Sequence, residues 1–220
     1  MDLDMSQDSM ELTGTGFSVQ LSRLQDTMDA EAVGTWGVTY VTGTTAVSPA
    51  QADMYQTIVI AADGTIRTFE REDSDYYWQR GTLTQSADDH FLHLPSTAYN
   101  SQDGYEVPDP ASFGYYSVTG NEMQLEIWEY DYNEDTSEKM ELTLERANEI
   151  SGHIVEDGSG DPVLGALINT SGTAGTVTDD NGLYILGIVN DGTYTVTPEL
   201  SGWTFTPSSS QQTVPPDRTD

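Results

Sequence analysis

Thr176-Val-Thr-Asp-Asp-Asn-Gly-Leu-Tyr-Ile-Leu186, followed closely by Val189-Asn-Asp-Gly-Thr-Tyr-Thr-Val-Thr197, decides how the chain is read. Leu183 to Ile188 and Thr193 to Thr197 each have the short, β-branched and aromatic character of a strand. Each is entered through a turn signal, Asp180-Asn181-Gly182 and Asp191-Gly192, whose residues accept positive φ at little cost. Everything C-terminal of about Ile150 fits around this stretch as one small all-β unit. What precedes it reads as a second, different β domain.

The composition agrees. Gly is frequent, turn dipeptides recur about every ten residues, and no long 3.6-residue periodicity is present. Tyr, Trp and Phe supply 10% of the 220 residues. The charge balance is extreme, with 37 acidic residues against 7 basic and a net charge of −30. Self-repulsion on that scale excludes nucleic acid and anionic membrane surfaces as ordinary partners and suits a salt-rich or divalent-rich exterior. There is no cysteine. No apolar run is long enough for a transmembrane segment. The acidic start, Met1-Asp-Leu-Asp-Met-Ser-Gln-Asp8, lacks the apolar core expected of a signal peptide.

In chain order, residues 1 to about 13 are expected to be polar and mobile. Phe17, Val19 and Leu21 alternate as a short strand, and Leu24 to Ala32 has room for one or two helical turns. That strand either packs over the first domain or is lent to a neighbouring subunit by β-augmentation. Between Gly34 and Arg146 eight strands are expected: 35–42, 55–61, 65–70, 76–84, 89–94, 113–119, 122–130 and 137–146. Asp63-Gly64 and Gly120-Asn121 mark hairpins. Eight successive antiparallel strands suggest an up-and-down barrel, which removes sheet edges by closing on itself. Alternation turns Met123, Leu125 and Ile127 inward, with Met140, Leu142 and Leu144, and sends Glu126 and Trp128 out. Trp36, Val38 and Tyr40 share one face.

Gly34-Thr35-Trp36 opening the first of these strands, with Arg146 ending the last on the inward face, resembles the lipocalin arrangement. The resemblance covers about residues 30 to 147 and is nearest to short lipocalin-like domains of bacterial surface proteins. It implies that Trp36 and Arg146 are structural, the guanidinium packing on the indole to seal one end. From residue 150, Ser151-Gly-His-Ile-Val155, Asp161-Pro-Val-Leu-Gly-Ala-Leu-Ile168, the quoted stretch and Gly202-Trp-Thr-Phe-Thr-Pro207 follow in order. This succession is similar to the carboxypeptidase regulatory-like module, a transthyretin-like β-sandwich. That family implies a non-catalytic, usually extracellular or cell-surface unit, here over 148–214, with 215–220 as a tail. Ala147-Asn-Glu149 is too short a linker for free tumbling.

Catalytic chemistry finds little support. His90 and His93 fall on opposite faces of a strand, His153 stands alone, and no nucleophile-elbow sequence occurs. The chain is therefore expected not to be an enzyme; a small-barrel enzyme is the least favoured reading. No cofactor is expected beyond calcium, for which Asp131, Asn133 and Asp135 make the D-x-N-x-D start of a calcium loop. Thr136 and Leu142 then replace the glycine and the bidentate glutamate. Aromatic residues crowd the second half of the barrel, and Trp78, Tyr116, Trp128 and Tyr130 are the candidate ligand or contact residues. The leading expectation is an extracellular or cell-surface protein whose barrel binds a small molecule or glycan, with the sandwich as a spacer. The alternative is a self-assembling subunit of a fibre or surface layer, with Phe17, Val19 and Leu21 as its assembly strand.

Overall fold

The computed structural model describes residues 2–5, 9–14, 17–22, 28–42, 54–72, 75–86, 90–108, 111–131, 136–172 and 174–214. Residues 2–5, 9–14, 17–22, 40–42, 54–55, 72, 129–131 and 136–138 are described through their backbone only. All the regular structure is β, as expected, and no helix occurs among the described residues.

Three antiparallel strands come first: β1 (Asp2–Met5), β2 (Ser9–Gly14) and β3 (Phe17–Ser22). Within the start read as polar and mobile, residues 2–5 and 9–14 are strands, β2 pairing with both β1 and β3. Residues 9–14, Ser-Met-Glu-Leu-Thr-Gly, alternate polar and apolar as a strand does, a pattern outweighed in the sequence by the acidic residues around it. Within the range read as helical, residues 29–33 make a single turn, Val33 N–H donating to the Asp29 carbonyl at 3.2 Å. Residues 24–27 lie outside the described residues.

The next nine strands are β4 (Gly34–Thr42), β5 (Met54–Ile60), β6 (Thr65–Glu72), β7 (Asp75–Gln85), β8 (His90–Asn100), β9 (Gly104–Glu106), β10 (Ser112–Thr119), β11 (Glu122–Asp131) and β12 (Thr136–Arg146). Every neighbour pairs antiparallel, and β12 returns to β4 while β10 pairs with β8, so eight strands close a barrel with β9 added outside β8. The eight expected strands are all present, most of them longer at one or both ends. β8 differs most, continuing to Asn100 across a register shift opposite Arg80 and Gly81. Pro95 ends the expected strand because proline donates no ladder hydrogen bond, and the irregularity beside it accommodates that loss.

One end of the barrel is shut. Residues 28–33 lie across it, with Met28 N–H donating to the Ala62 carbonyl and Trp36 Nε1 donating to the Ala32 carbonyl at 2.9 Å. Trp36, Leu144, Met123, Ile60, Ile66 and Phe91 form the apolar floor. By chain direction the other end is framed by the starts of β5, β7, β10 and β12 and the ends of β4, β6, β8 and β11.

The remaining strands are β13 (Asn148–His153), β14 (Leu167–Thr170), β15 (Gly175–Val177), β16 (Leu183–Ile188), β17 (Gly192–Glu199) and β18 (Ser210–Val214). β13 pairs with β16, and the other four form a sheet in the order β15-β14-β17-β18. Ile150, Leu186 and Ile188 of the first sheet meet Ile168, Val196 and Val214 of the second in a shared core, a sandwich-like arrangement. The two strands of the decisive stretch, β16 and β17, thus lie in different sheets. The turn before β16 is a side-chain device. Buried Asp179 accepts from the N–H groups of Asn181 (2.8 Å) and Leu183 (3.0 Å), and Gly182 takes φ +70°. A Cβ at Gly182 would stand 2.3 Å from the Ile154 carbonyl oxygen.

The second unit does not hang from a linker. Only Ala147 separates β12 from β13, and its N–H donates to the Thr35 carbonyl. The two-sheet unit lies against the outer wall of β4 to β7, where Phe69, Tyr76 and Trp78 pack with Val177 and Ile185 in one buried cluster. Gly187 N–H donates to Thr57 Oγ1 at 2.9 Å, and Tyr76 O–H donates to Asn169 Oδ1. Arg80 spans the same boundary with a bidentate pair to Asp180, at 2.9 and 3.3 Å.

Candidate functional site

Alternation along the barrel strands builds a cavity of about 460 Å³ inside. Its deep walls are apolar: Ile58, Ile60, Ile66, Leu83, Phe91, Met123, Leu142 and Leu144, with Leu125, Ile127 and Met140 higher up. Toward the open end the lining turns polar, through Gln56, Thr68, Glu70, Tyr77, Gln79 and Glu106. Gln56 Nε2 donates to Glu70 Oε2 at 3.1 Å, and the Ser112 hydroxyl lies 3.4 Å from His93 Nδ1. The short strand β9 brings Glu106 and Val107 to the rim, and nothing in its sequence apart from Gly104 and the aromatic Tyr105 marked it as a strand.

The floor is polar as well as apolar. Tyr116 O–H lies 2.7 Å from buried Gln85 Oε1 and 3.2 Å from Asp29 Oδ2, and Asp29 N–H donates to the same Gln85 oxygen at 3.0 Å. Beside this network the Arg146 guanidinium stands 4.3 Å from the Trp36 ring centroid. Its Nη1 donates to the Val33 carbonyl at 3.0 Å and its Nη2 to the Glu31 carbonyl at 2.6 Å. A planar fork is the geometry that two carbonyls on a turn require, and the indole face offers it an electron-rich partner.

The structure separates the four candidate contact residues. The Tyr116 ring lines the cavity, but its hydroxyl belongs to the floor. Trp78 borders the cavity near its mouth, yet alternation turns its side chain to the outside of the wall. There it stacks on Tyr99 at 5.9 Å and meets Arg80 at 5.7 Å. It is only 3% exposed, so it is a wall residue of the boundary between the two units, and its indole N–H is buried without an acceptor among the described residues. Trp128 is on the outer surface, as alternation requires, but half-buried. It stands opposite Phe113, and its Nε1 donates to Glu126 Oε1 at 3.0 Å. The Tyr130 side chain lies outside the described residues.

That outer surface carries Phe113 and Tyr115, 58% and 45% exposed. Glu126 is its hub: it accepts from Tyr115 O–H at 2.6 Å, from Trp128 and from Lys139 at 3.1 Å. The Tyr115 hydrogen bond, ahead of the Lys139 contacts, holds the Glu126 carboxyl below its ordinary range. The same bond raises Tyr115 above the usual phenol value, because losing its proton would put two negative charges side by side. Hydrogen bonds to Glu141 and Glu126 push Lys139 upward.

His93 faces the cavity while His90 is exposed against Tyr115, so the two histidines are on opposite faces. Among the described residues no three His, Asp or Glu side chains converge as a metal site would require. The calcium candidate of Asp131, Asn133 and Asp135 lies outside them: Asp131 is described only as the last backbone position of β11. Of the assembly residues Phe17, Val19 and Leu21, the backbone is described, and it pairs with Gly14, Leu12 and Met10 of β2. Comparison of the chain with protein-family models, characterised proteins and solved structures finds no match.

Proposed function

We infer that the barrel is a binding protein for a small, largely apolar molecule, and not an enzyme. The observation that carries this reading is the cavity: about 460 Å³, apolar at depth, closed below by residues 28–33 and polar at its mouth. Volumes of roughly 300–1,000 Å³ with apolar walls and few polar groups are the usual form of small-molecule sites. The Trp36–Arg146 stack supports the lipocalin likeness, and the paired sheets of 148–214 support the likeness to a transthyretin-like, carboxypeptidase regulatory-like module. Both likenesses favour a place outside the cell. In this reading the second unit is less a spacer than a buttress, since it covers the wall of β4 to β7.

The test is titration of the full chain with N-phenyl-1-naphthylamine, a neutral apolar dye whose emission rises in dry surroundings. One saturable dye site per chain is expected, and Leu125→Trp, which fills the cavity, should weaken it at least tenfold. No saturable site, or equal binding by the filled variant, overturns the reading. Self-association is the second reading, favoured by one observation: β3 pairs only with β2 and leaves its other edge unpaired among the described residues. Light scattering across salt and calcium, with EDTA and with residues 1–25 deleted, decides it.

A further inference from the structure

The charge of the cavity mouth selects among apolar ligands. The described residues hold five of the chain's seven basic side chains, and each is directed elsewhere. Arg67, Arg71 and Arg80 lie on the outward face of β6 and β7, with Arg71 over Tyr76 and Arg80 paired to Asp180. Lys139 is held on the outer surface by Glu126 and Glu141, and Arg146 is at the floor. Facing the cavity instead are the carboxylates of Glu70 and Glu106, among Gln56, Gln79 and the ring of Tyr77.

Among the described residues an anionic head, such as a fatty-acid carboxylate, would meet only like charge there, in a chain of net charge −30. An ammonium head meets carboxylates and an aromatic ring, the two kinds of group that attract organic cations most strongly. Resting on the binding function inferred above, we propose that the barrel takes cationic amphiphiles. The alkyl body lies against Ile58, Leu125 and Leu142, and the ammonium head sits at the mouth between Glu70, Glu106 and Tyr77.

Four probes test this on the full chain: the neutral dye alone, then its displacement by dodecyltrimethylammonium, dodecanol and dodecanoate below their micelle concentrations. The ammonium should displace the dye at about tenfold lower concentration than the alcohol, with the carboxylate weakest, the preference one or two favourable head-group contacts give. Glu70→Gln/Glu106→Gln should reduce the ammonium-to-alcohol ratio to below about threefold. The same ratio in Glu122→Gln/Glu145→Gln, a pair at the closed end, should stay as in the parent, which separates a mouth effect from general surface charge. Dodecanol or dodecanoate binding as tightly as the ammonium, or a ratio untouched by the mouth substitutions, overturns the head-group assignment and leaves the cavity reading standing. Failure of the dye and of all three amphiphiles to bind overturns both.

Discussion

Replacing Arg146 by alanine should unlock the floor of the barrel. Two kinds of contact are lost together. The stack on Trp36 at 4.3 Å, against an indole with no solvent exposure, contributes about 1–2 kcal/mol. The donors to the Glu31 and Val33 carbonyls add about 1 kcal/mol each, below the usual range for charged donors, because Arg146 is only partly buried and water can replace it. The sum is about 3–4 kcal/mol, a large part of the ~5–15 kcal/mol that separates folded from unfolded domains. With a urea slope of about 2 kcal/mol/M, the midpoint should fall by roughly 1.5–2 M. Tryptophan fluorescence and far-ultraviolet circular dichroism should report the same transition, since the two units share the buried Phe69–Val177 cluster. Arg146→Lys should recover about half the loss: it keeps a cation over the indole, but one ammonium cannot serve two carbonyls on a turn. Limited proteolysis should cut the alanine variant first near residues 28–33. A midpoint within about 0.3 M of the parent would show that the stack does not hold the floor, and the sealing argument would be wrong.

Phe69→Ala should cost about 3–5 kcal/mol, because Phe69 is 1% exposed between the barrel and the second unit. Calorimetry should then resolve two transitions where the parent shows one; a single unshifted transition would mean the units are not coupled there. Gly114→Ala should prevent barrel closure, since a Cβ would stand 1.8 Å from the Glu126 carbonyl oxygen in β11 and 3.0 Å from the Phe91 ring. The readout is solubility and cooperative melting, and a soluble variant with parental melting refutes the pairing of β10 with β11. Tyr115 gives a pH prediction. Its hydrogen bond to Glu126 raises its pKa in the folded chain, so that contact's contribution is complete below the unfolded phenol value of 10.0 and is lost as pH rises through the folded value. Absorbance at 295 nm should show Tyr115 ionising late together with Tyr76, Tyr99 and Tyr184, which burial raises, and Glu126→Gln should return one tyrosine toward the ordinary range while those three stay late. No change on that substitution would mean the bond is not made.

Much of this architecture was legible from residues. Asp63-Gly64 and Gly120-Asn121 turn where turn chemistry places them, with Gly64 at φ +80° and Gly120 at +62°. Met123, Leu142 and Leu144 point inward because a closed barrel leaves only two faces and one must be dry. The floor network was hidden for a different reason. Gln85, Asp29 and Tyr116 are polar residues from three separated segments, and no local pattern announces that they will share hydrogen bonds in a buried place. The pairing of β16 with β13 was equally out of reach. Turn residues show that a strand begins, whereas the sheet it joins depends on which faces remain to be covered.

Trp78 shows where strand alternation stops being a guide to function. On a barrel strand the rule assigns a residue to the cavity or to water, so a tryptophan looks like a ligand contact on either face. Where the second unit lies over it, the outer face of β5 to β7 is dry. Thr57, Phe69, Tyr76 and Trp78 are as buried as the residues that line the interior, because β15 and β16 lie over them. At these positions two cores draw on one set of strands. That has a consequence for binding. Tyr77 and Gln79 line the cavity while Tyr76 and Trp78, one position away in the same strand, pack on the second unit. A ligand that shifts β7 must therefore disturb both packings at once, and dense packing resists such a shift. The second unit thereby holds the cavity wall in place along this side of the barrel.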